Sequence, residues 1–599
     1  MSIYYHPLNK NCKSITGAIP CKKELTLTLY DVNEPDCKLL LFRDGQEESL
    51  TEYPMSPISN GARVTISVAE PGLYFYYFLI CGQKFGRGRE RKGDFCNENY
   101  QLTVYQQNFS TPDSFKGGLI YQIFPDRFAK SGDIPIGKDK ILRKDWGATP
   151  EFRPDAQGIV RNNDFFGGNL KGIESKLDYL KSLSVTTIYL NPIFESTSNH
   201  RYNTGNYLKI DSLLGTKEDF CHLIKSAKKK GIDIILDGVF NHTGDDSIYF
   251  NKYGNYESLG AYQSQQSPYY DWYSFSQYPD YYDSWWGIET LPAVNEQSES
   301  YQNFIFGEEG VLKTWLRCGI AGYRLDVADE LPDFFLKKLR ESVKSENPNA
   351  IIIGEVWEDA SNKIAYGQRR TYFQGDELDS VMNYPLKNAI LDFALTGNTA
   401  NLVETIHTLI DHYPKDVLDC LMNNLSTHDT ARILTVMSGI AASSKEEMAV
   451  IKMSDDERRR AIEKVKIASV LQYTMPGIPC LYYGDENGME GYGDPFCRRC
   501  YDWVHQDKDL LLFYQKLCKI RSDLRDILSA GEYIEIYHDD HCLIFSRATA
   551  EKNCFIYANN GDSFINIKLN GEFTDLLTET SYKNQLSVQP FSYGILFKK

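Results

Sequence analysis

Three carboxylates in this chain each close a strand-like apolar run, and their neighbours suit nucleophilic and acid–base chemistry. In Gly322-Tyr-Arg-Leu-Asp326-Val-Ala, Arg324 stands two residues before Asp326. Residues i and i+2 of a strand point the same way, so guanidinium and carboxylate share a face. A neighbouring cation favours the ionised acid, which predicts a low pKa for Asp326, as a carboxylate nucleophile needs. Glu355 follows about thirty residues later in Ala350-Ile-Ile-Ile-Gly-Glu355-Val-Trp357, and Asp429 ends Cys420-Leu-Met-Asn-Asn-Leu-Ser-Thr-His428-Asp429. Any one of these acids alone would pass for a helix cap or a surface carboxylate. Together, at strand ends, they imply carboxylate chemistry at one end of a sheet.

The elements that must position them alternate between apolar strands and amphipathic helices. Eight candidate strands lie near Gly118–Phe124, Val185–Leu190, Asp233–Asp237, Gly322–Asp326, Ala350–Glu355, Leu378–Tyr384, Leu421–Leu425 and Ile478–Gly484. Helical spacing fits between them: Phe220, Leu223, Ile224 and Ala227 recur over Glu218–Lys230, and Gly231 ends the run. Eight βα units predict a (β/α)8 barrel, whose active site sits where strands meet their following loops. After the third strand, about seventy-five residues precede the fourth, and positions 249–286 hold fifteen aromatics. Such a segment is functional or a subdomain. It predicts either aromatic faces for stacking on sugar rings or an inserted unit, about 243–300, burying its own aromatics.

The chain has 599 residues, too many for one core, which predicts about three domains. Residues 1–112 alternate as an N-terminal β-sandwich, with turns at Asp44-Gly and Pro71-Gly. The barrel is expected over 113–515, and alternating runs over 516–599 predict a C-terminal antiparallel β domain. A net charge of −16 gives no support to nucleic-acid binding, which demands a basic face. No stretch approaches the roughly 18–20 apolar residues of a membrane span. The 14 cysteines are dispersed and the first residues lack a signal-peptide core, so a reduced, cytoplasmic protein is expected.

The ordered motifs resemble those of the α-amylase family of glycoside hydrolases, in its neopullulanase, cyclomaltodextrinase and maltogenic-amylase branch. They are Asp237-Gly-Val-Phe-Asn-His242, Gly322-Tyr-Arg-Leu-Asp326-Val-Ala-Asp-Glu330, Gly354-Glu355-Val-Trp357 and Ser426-Thr-His428-Asp429. Tyr483-Gly-Asp-Glu-Asn-Gly-Met-Glu490 and Asp494-Pro-Phe-Cys-Arg498-Arg-Cys-Tyr-Asp-Trp503 follow. The resemblance spans about residues 117–505 and implies retaining hydrolysis of α-glucosidic bonds in maltodextrins, cyclodextrins, pullulan or starch. Asp326 would be the nucleophile, Glu355 the acid/base, and Asp429 a holder of sugar hydroxyls. His242 and His428 would bond the sugar before the scissile bond, Tyr202 would stack on it, and Arg324 would orient Asp326. Trp357 would flank the acceptor subsites, and Asp494 with Arg498 the outer donor subsites. Packing roles for Tyr202 and Trp357, and a surface ion pair for Asp494 and Arg498, are the plainer alternatives.

Several positions depart from that pattern. The loop Phe128-Ala-Lys-Ser-Gly-Asp133-Ile-Pro-Ile-Gly137 and the element Phe166-Gly-Gly-Asn169 hold too few carboxylates for the 6–8 oxygen ligands calcium takes. No cofactor and no metal site is therefore expected. Asp329 replaces an asparagine near the acceptor subsites, and the Tyr-Asn-Trp-Gly-Tyr signature of dedicated debranching pullulanases is missing. Cys497-Arg-Arg-Cys500 has no partner pair for zinc and reads as structural. The alternatives to a mainly α-1,4 hydrolase are a 4-α-glucanotransferase, a mixed α-1,4/α-1,6 amylopullulanase, and a non-catalytic glucan-binding protein. The ratio of transfer to hydrolysis products separates the first; retention of Asp326, Glu355 and Asp429 argues against the last. The N-terminal module would form part of the cleft through a homodimer, or bind glucan.

Overall fold

The structure is a computed structural model that describes every residue except 1, 2, 33–35, 133, 134, 136, 138, 139 and 599. Among the described residues, eight parallel strands form one sheet. In chain order they are β1 (Ile120–Ile123), β2 (Thr187–Leu190), β3 (Asp233–Gly238), β4 (Gly322–Leu325), β5 (Ile351–Gly354), β6 (Ser380–Val381), β7 (Met422–Asn424) and β8 (Ile478–Tyr482). Their spatial order is β6-β5-β4-β3-β2-β1-β8-β7, and a parallel bridge between Met382 and Met422 closes the circle. This is the expected barrel, with each expected strand in it.

Period-two alternation sorts the strand residues into two cores. Ile120, Tyr189, Ile235, Ile351, Ile353 and Met422 fill the barrel interior. Their chain neighbours Tyr121, Ile188, Ile234, Leu236, Tyr323 and Ile352 pack outward against the helices. Arg324 lies between two outward residues and so projects inward, opposite Asp237 in the β3–β4 register. Gly322 opens β4 at φ +147°, and a Cβ there would stand 2.1 Å from the Ile351 carbonyl oxygen, so only glycine permits this close pairing.

The N-terminal region packs a sheet around strands Cys37–Arg43, Gly72–Ile80 and Tyr100–Tyr105 on a second sheet, Glu24–Tyr30, Gly61–Ser67 and Ser56–Ile58. Leu25, Leu27, Leu39, Phe78, Tyr100 and Leu102 form the core between them. The C-terminal sheet has six antiparallel strands from Glu532 to Lys598. The boundary expected at residue 515 falls inside one continuous helix, Lys508–Asp523. That helix packs on both the barrel and the sheet, so the pattern change in sequence came before the change in architecture. No helix among the described residues is long and apolar enough to cross a membrane.

The segment after β3 buries some of its aromatics against one another, as an inserted unit would, and leaves others exposed. Tyr249, Phe250, Trp272 and Tyr273 are buried against one another, with Tyr249 and Trp272 centroids 5.0 Å apart and Phe250 and Tyr273 4.8 Å apart. At its far end, Trp285 lies over His242 (5.4 Å between ring centroids) and Trp286 over Trp285 (5.2 Å). Trp286 is 77% exposed.

Candidate active site

At the C-terminal rim of the strands, Arg324 is the hub. Its Nη1 donates to Asp237 Oδ1 (2.7 Å) and Asp326 Oδ1 (2.8 Å), and its Nη2 stands 2.8 Å from Glu355 Oε2. Asp326 and Glu355 therefore occupy the two terminal nitrogens of one buried guanidinium. Strands β4 and β5 are register neighbours, Leu325 against Gly354, which puts these residues side by side. Glu355 also accepts from the Val327 backbone N–H (2.9 Å) and from Trp357 Nε1 (3.2 Å).

The expectation of a low pKa for Asp326 is not met. Burial and the nearby Glu355, Asp237 and Asp429 push its carboxyl well above the usual range, with Arg324 opposing them. Burial likewise raises Asp237 and Glu355 against the same arginine. The reason is stoichiometric: the sequence placed one cation beside one acid, whereas the fold sets one cation among three. Such a set retains a proton on one member and titrates as a unit.

Val327 explains how the backbone reaches Glu355. This β-branched residue has φ 40°, ψ 57°, a left-handed conformation that is an outlier for its type. The turn it makes directly after Asp326 aims its N–H at Glu355.

A second network supports the other side. Gln122 Nε2 lies 2.9 Å from His428 Nδ1, so the ring proton resides on Nε2 and is offered to the Tyr202 hydroxyl. Tyr202 in turn donates to Asp237 Oδ2 (2.7 Å), as does Tyr189 (2.6 Å). Tyr202 and His428 stack at 5.2 Å with their planes 7° apart. Burial, reinforced by Arg498 and Arg324, holds His428 well below the usual histidine range, so it is neutral. Its Nε2 also stands 3.1 Å from Asp429 Oδ2, a contact that a neutral ring makes without an ion pair. Arg498 stands 3.3 Å from Asp429 Oδ1 and 2.9 Å from Asp494 Oδ1, and donates to the His428 carbonyl (2.8 Å).

All ten residues singled out in the sequence are thus placed around this rim. Tyr202, His428, Arg498, Asp494 and Asp429 connect directly to one another. Arg324, Asp326, Glu355 and Trp357 form the second connected group, joined to the first through Asp237. His242 stands slightly apart, beneath Trp285; burial lowers it to about 4, and its Nε2 is buried without a hydrogen-bond partner. A buried donor or acceptor left open is costly, and one facing a cleft is a site for a ligand hydroxyl. Trp357 is 45% exposed and stacks on Tyr384 with centroids 3.9 Å apart, which rules out a core role for it.

Asp237 also has a site role, and its place near the end of an apolar strand, like that of the other acids, is a signal legible in the sequence. Val327, Tyr189 and Gln122 carried none, because their roles rest on backbone strain and on cross-strand neighbours.

The thiols of Cys497 and Cys500 are free and buried, and burial pushes both up to about 12. Cys497 donates to the His428 carbonyl (3.1 Å), so the pair serves packing around the site, in line with the structural reading. Among the described residues no group of three or more His, Cys, Asp or Glu side chains is arranged to hold a metal ion. Asp133 lies outside the described residues. Asn169 accepts from the Gly172 N–H as a helix cap and donates to the Ser131 carbonyl, which occupies its amide.

A parallel barrel carrying paired carboxylates on its C-terminal rim defines a class of barrel glycosidases, and the comparisons place this chain within it. A profile of the alpha amylase catalytic domain matches residues 122–509, and the chain belongs to the alpha-amylase family. It is 36% identical over 606 residues to an amylopullulanase of Thermoanaerobacterium saccharolyticum, covering 90% of this chain and 46% of that protein. The chain thus spans less than half the length of that relative. It is 31% identical over 632 residues to a cyclomaltodextrinase of Thermoanaerobacter pseudethanolicus, covering 99% of this chain and 98% of the relative. Among solved structures, a cyclomaltodextrinase superposes with TM-score 0.69 at 25% identity, covering 100% of this chain and 99% of the other. A cyclic alpha-maltosyl-(1→6)-maltose hydrolase from Arthrobacter globiformis gives TM-score 0.67 at 26% identity, covering 82% and 100% respectively.

Proposed function

We infer that the protein is a retaining α-glucoside hydrolase acting mainly on α-1,4 linkages of maltodextrins, cyclodextrins, pullulan or starch. The observation that carries this reading is the pairing of Asp326 and Glu355 on the single guanidinium of Arg324. Retaining enzymes keep their two carboxyl groups roughly 5–5.5 Å apart, and adjacent nitrogens of one guanidinium enforce proximity of that order.

Asp326 attacks the anomeric carbon with a carboxylate oxygen while Glu355 gives its proton to the departing glycosidic oxygen. The C–O bond breaks and a glycosyl ester forms on Asp326. Glu355, now a base, takes a proton from water, whose oxygen attacks the same carbon and releases Asp326. As Glu355 loses its proton, Arg324 and the Val327 N–H stabilise its charge. Asp429, His428 and His242 hold the hydroxyls of the distorted sugar, and Tyr202 offers its ring face. No step calls on a cofactor or calcium.

The names of relatives favour hydrolysis over glucan transfer, and the amylopullulanases among them keep mixed α-1,4/α-1,6 cleavage as the second reading. Incubation with pullulan, soluble starch and β-cyclodextrin, with Glu355→Gln as control, separates these. Panose from pullulan reports α-1,4 cleavage; maltotriose reports α-1,6 cleavage and shifts the assignment. Wild type no more active than the control on all three overturns the hydrolase reading. From its dispersed, free cysteines the protein is proposed to be cytoplasmic, and by the family resemblance to dimerise through its N-terminal sandwich; a monomer in sedimentation velocity at micromolar concentration would contradict the dimer.

A further inference from the structure

The general acid marks which part of a glucan lies where. Glu355 protonates the leaving oxygen, so the departing sugars and any incoming acceptor lie over Glu355 and the loop that follows it. That loop runs from Trp357 to Gln374 and carries a short hairpin, Ile364–Ala365 paired with Gln368–Arg369. Its tip, Tyr366, is 70% exposed with φ 51°, and it meets Glu330 and Trp286, whose Nε1 donates to Glu330 Oε1 (3.1 Å). Lys363 stands 3.2 Å from Asp329 Oδ2. The loop thus reaches from the acid to the aromatic end of the segment after β3.

What holds this loop from behind is the N-terminal sandwich, at three points. Arg369 makes a two-pronged contact with Asp44, from Nε to Oδ2 (2.7 Å) and from Nη2 to Oδ1 (3.1 Å). Gln101, buried on a sandwich strand, donates to Ser361 Oγ (2.9 Å) and accepts from Asn362 Nδ2 (2.9 Å). The Gln106 N–H donates to the Gln374 carbonyl (2.8 Å), where the loop ends. Beneath them, buried Lys13 (3.0 Å) and Arg91 (2.9 Å) from the sandwich clasp Asp411. The next residue, His412, stands 3.1 Å from Asp359, only four positions past Glu355. Burial would raise Asp411, but Lys13 and Arg91 hold it at about 2.

We propose that the N-terminal sandwich is a positioning element for the acceptor half of the cleft: through Asp44 and Gln101 it fixes the Trp357–Gln374 loop and so sets how sugars beyond the scissile bond are held. Asp44 and Gln101 are positioning residues, since they act through Arg369, Ser361 and Asn362. Paired, two-pronged charge contacts are geometrically specific, which suits a brace better than a sliding contact. The inference rests on the glucosidase reading above, and its test separates the two.

The test compares kcat/KM on maltohexaose, which fills acceptor subsites, with 4-nitrophenyl α-maltoside, whose good leaving group asks little of them. For Asp44→Ala and Gln101→Leu, maltohexaose turnover falls about five- to tenfold and the transfer-to-hydrolysis ratio drops, while the nitrophenyl rate stays within about twofold. The exchange Asp44→Arg with Arg369→Asp restores most of the maltohexaose rate. Equal losses on both substrates, or none on either, overturn the proposal. If Asp44→Ala does not fold, Arg369→Gln breaks the same contact from the loop side and is read by the same two substrates. Wild type inactive on both substrates sinks the glucosidase reading itself, and this inference with it.

Discussion

Replacing Arg324 by methionine removes the only cation among Asp237, Asp326 and Glu355 while keeping most of the side-chain volume. Taking one partner from a buried charge cluster costs about 3–5 kcal/mol, because the other charges stay buried and uncompensated. At roughly 2 °C per kcal/mol for a domain of a few hundred residues, the melting midpoint should drop about 6–10 °C near pH 7.5. The pH dependence is the sharper reading. All three carboxyls are raised in the folded state, so their contribution is fully present below the unfolded carboxyl pKa and fades as pH rises through the folded values. Without Arg324 the folded values climb further, each pKa unit being about 1.4 kcal/mol of differential stability. The loss relative to wild type should therefore be small near about pH 4.5 and grow steadily towards about pH 7.5. Differential scanning calorimetry of both proteins across this range is the assay. A loss of equal size at both ends, or below about 2 °C throughout, would refute the claim that one guanidinium holds three acids.

Other outcomes follow from single contacts. His242→Ala should lower kcat/KM on maltohexaose about tenfold or more, because its Nε2 has no hydrogen-bond partner in the protein and is open to a sugar hydroxyl; steady-state kinetics check this. Val327→Gly should keep activity within about threefold, whereas Val327→Pro should cost about a hundredfold in kcat, since proline loses the N–H that Glu355 accepts and forbids a positive φ. Treatment with excess EDTA followed by desalting should change neither activity nor melting midpoint. A reversible loss restored by calcium would show a site that the 128–137 loop and Asn169 were expected to lack.

Local periodicity carried much of this structure. Apolar runs ending in Asp237, Asp326 and Glu355 are legible as strands because burial on both faces leaves little else that such runs can be. The shared face of Arg324 and Asp326 is a one-strand property, and it held. The low pKa expected of Asp326 did not, because it depends on Asp237 and Glu355, which β3 and β5 bring in through cross-strand register. Trp357 could be placed near the acid from its spacing to Glu355, but its exposure depends on Tyr384, twenty-seven residues away at the start of a helix. The brace between Asp44 and Arg369 spans 325 residues, and no local pattern announces it. Likewise Val327 is an ordinary valine in sequence; only its backbone makes it part of the site.

The central claim is that Asp326 becomes covalently attached to sugar. Reaction of the enzyme with a 5-fluoro-α-glucosyl fluoride, followed by proteolysis and tandem mass spectrometry, tests it at the atom concerned. The account predicts a single fluoroglucosyl ester on the peptide containing Asp326, accumulating with loss of activity. An ester on another carboxylate, or turnover that releases only the inverted β-anomer with no adduct, would contradict it.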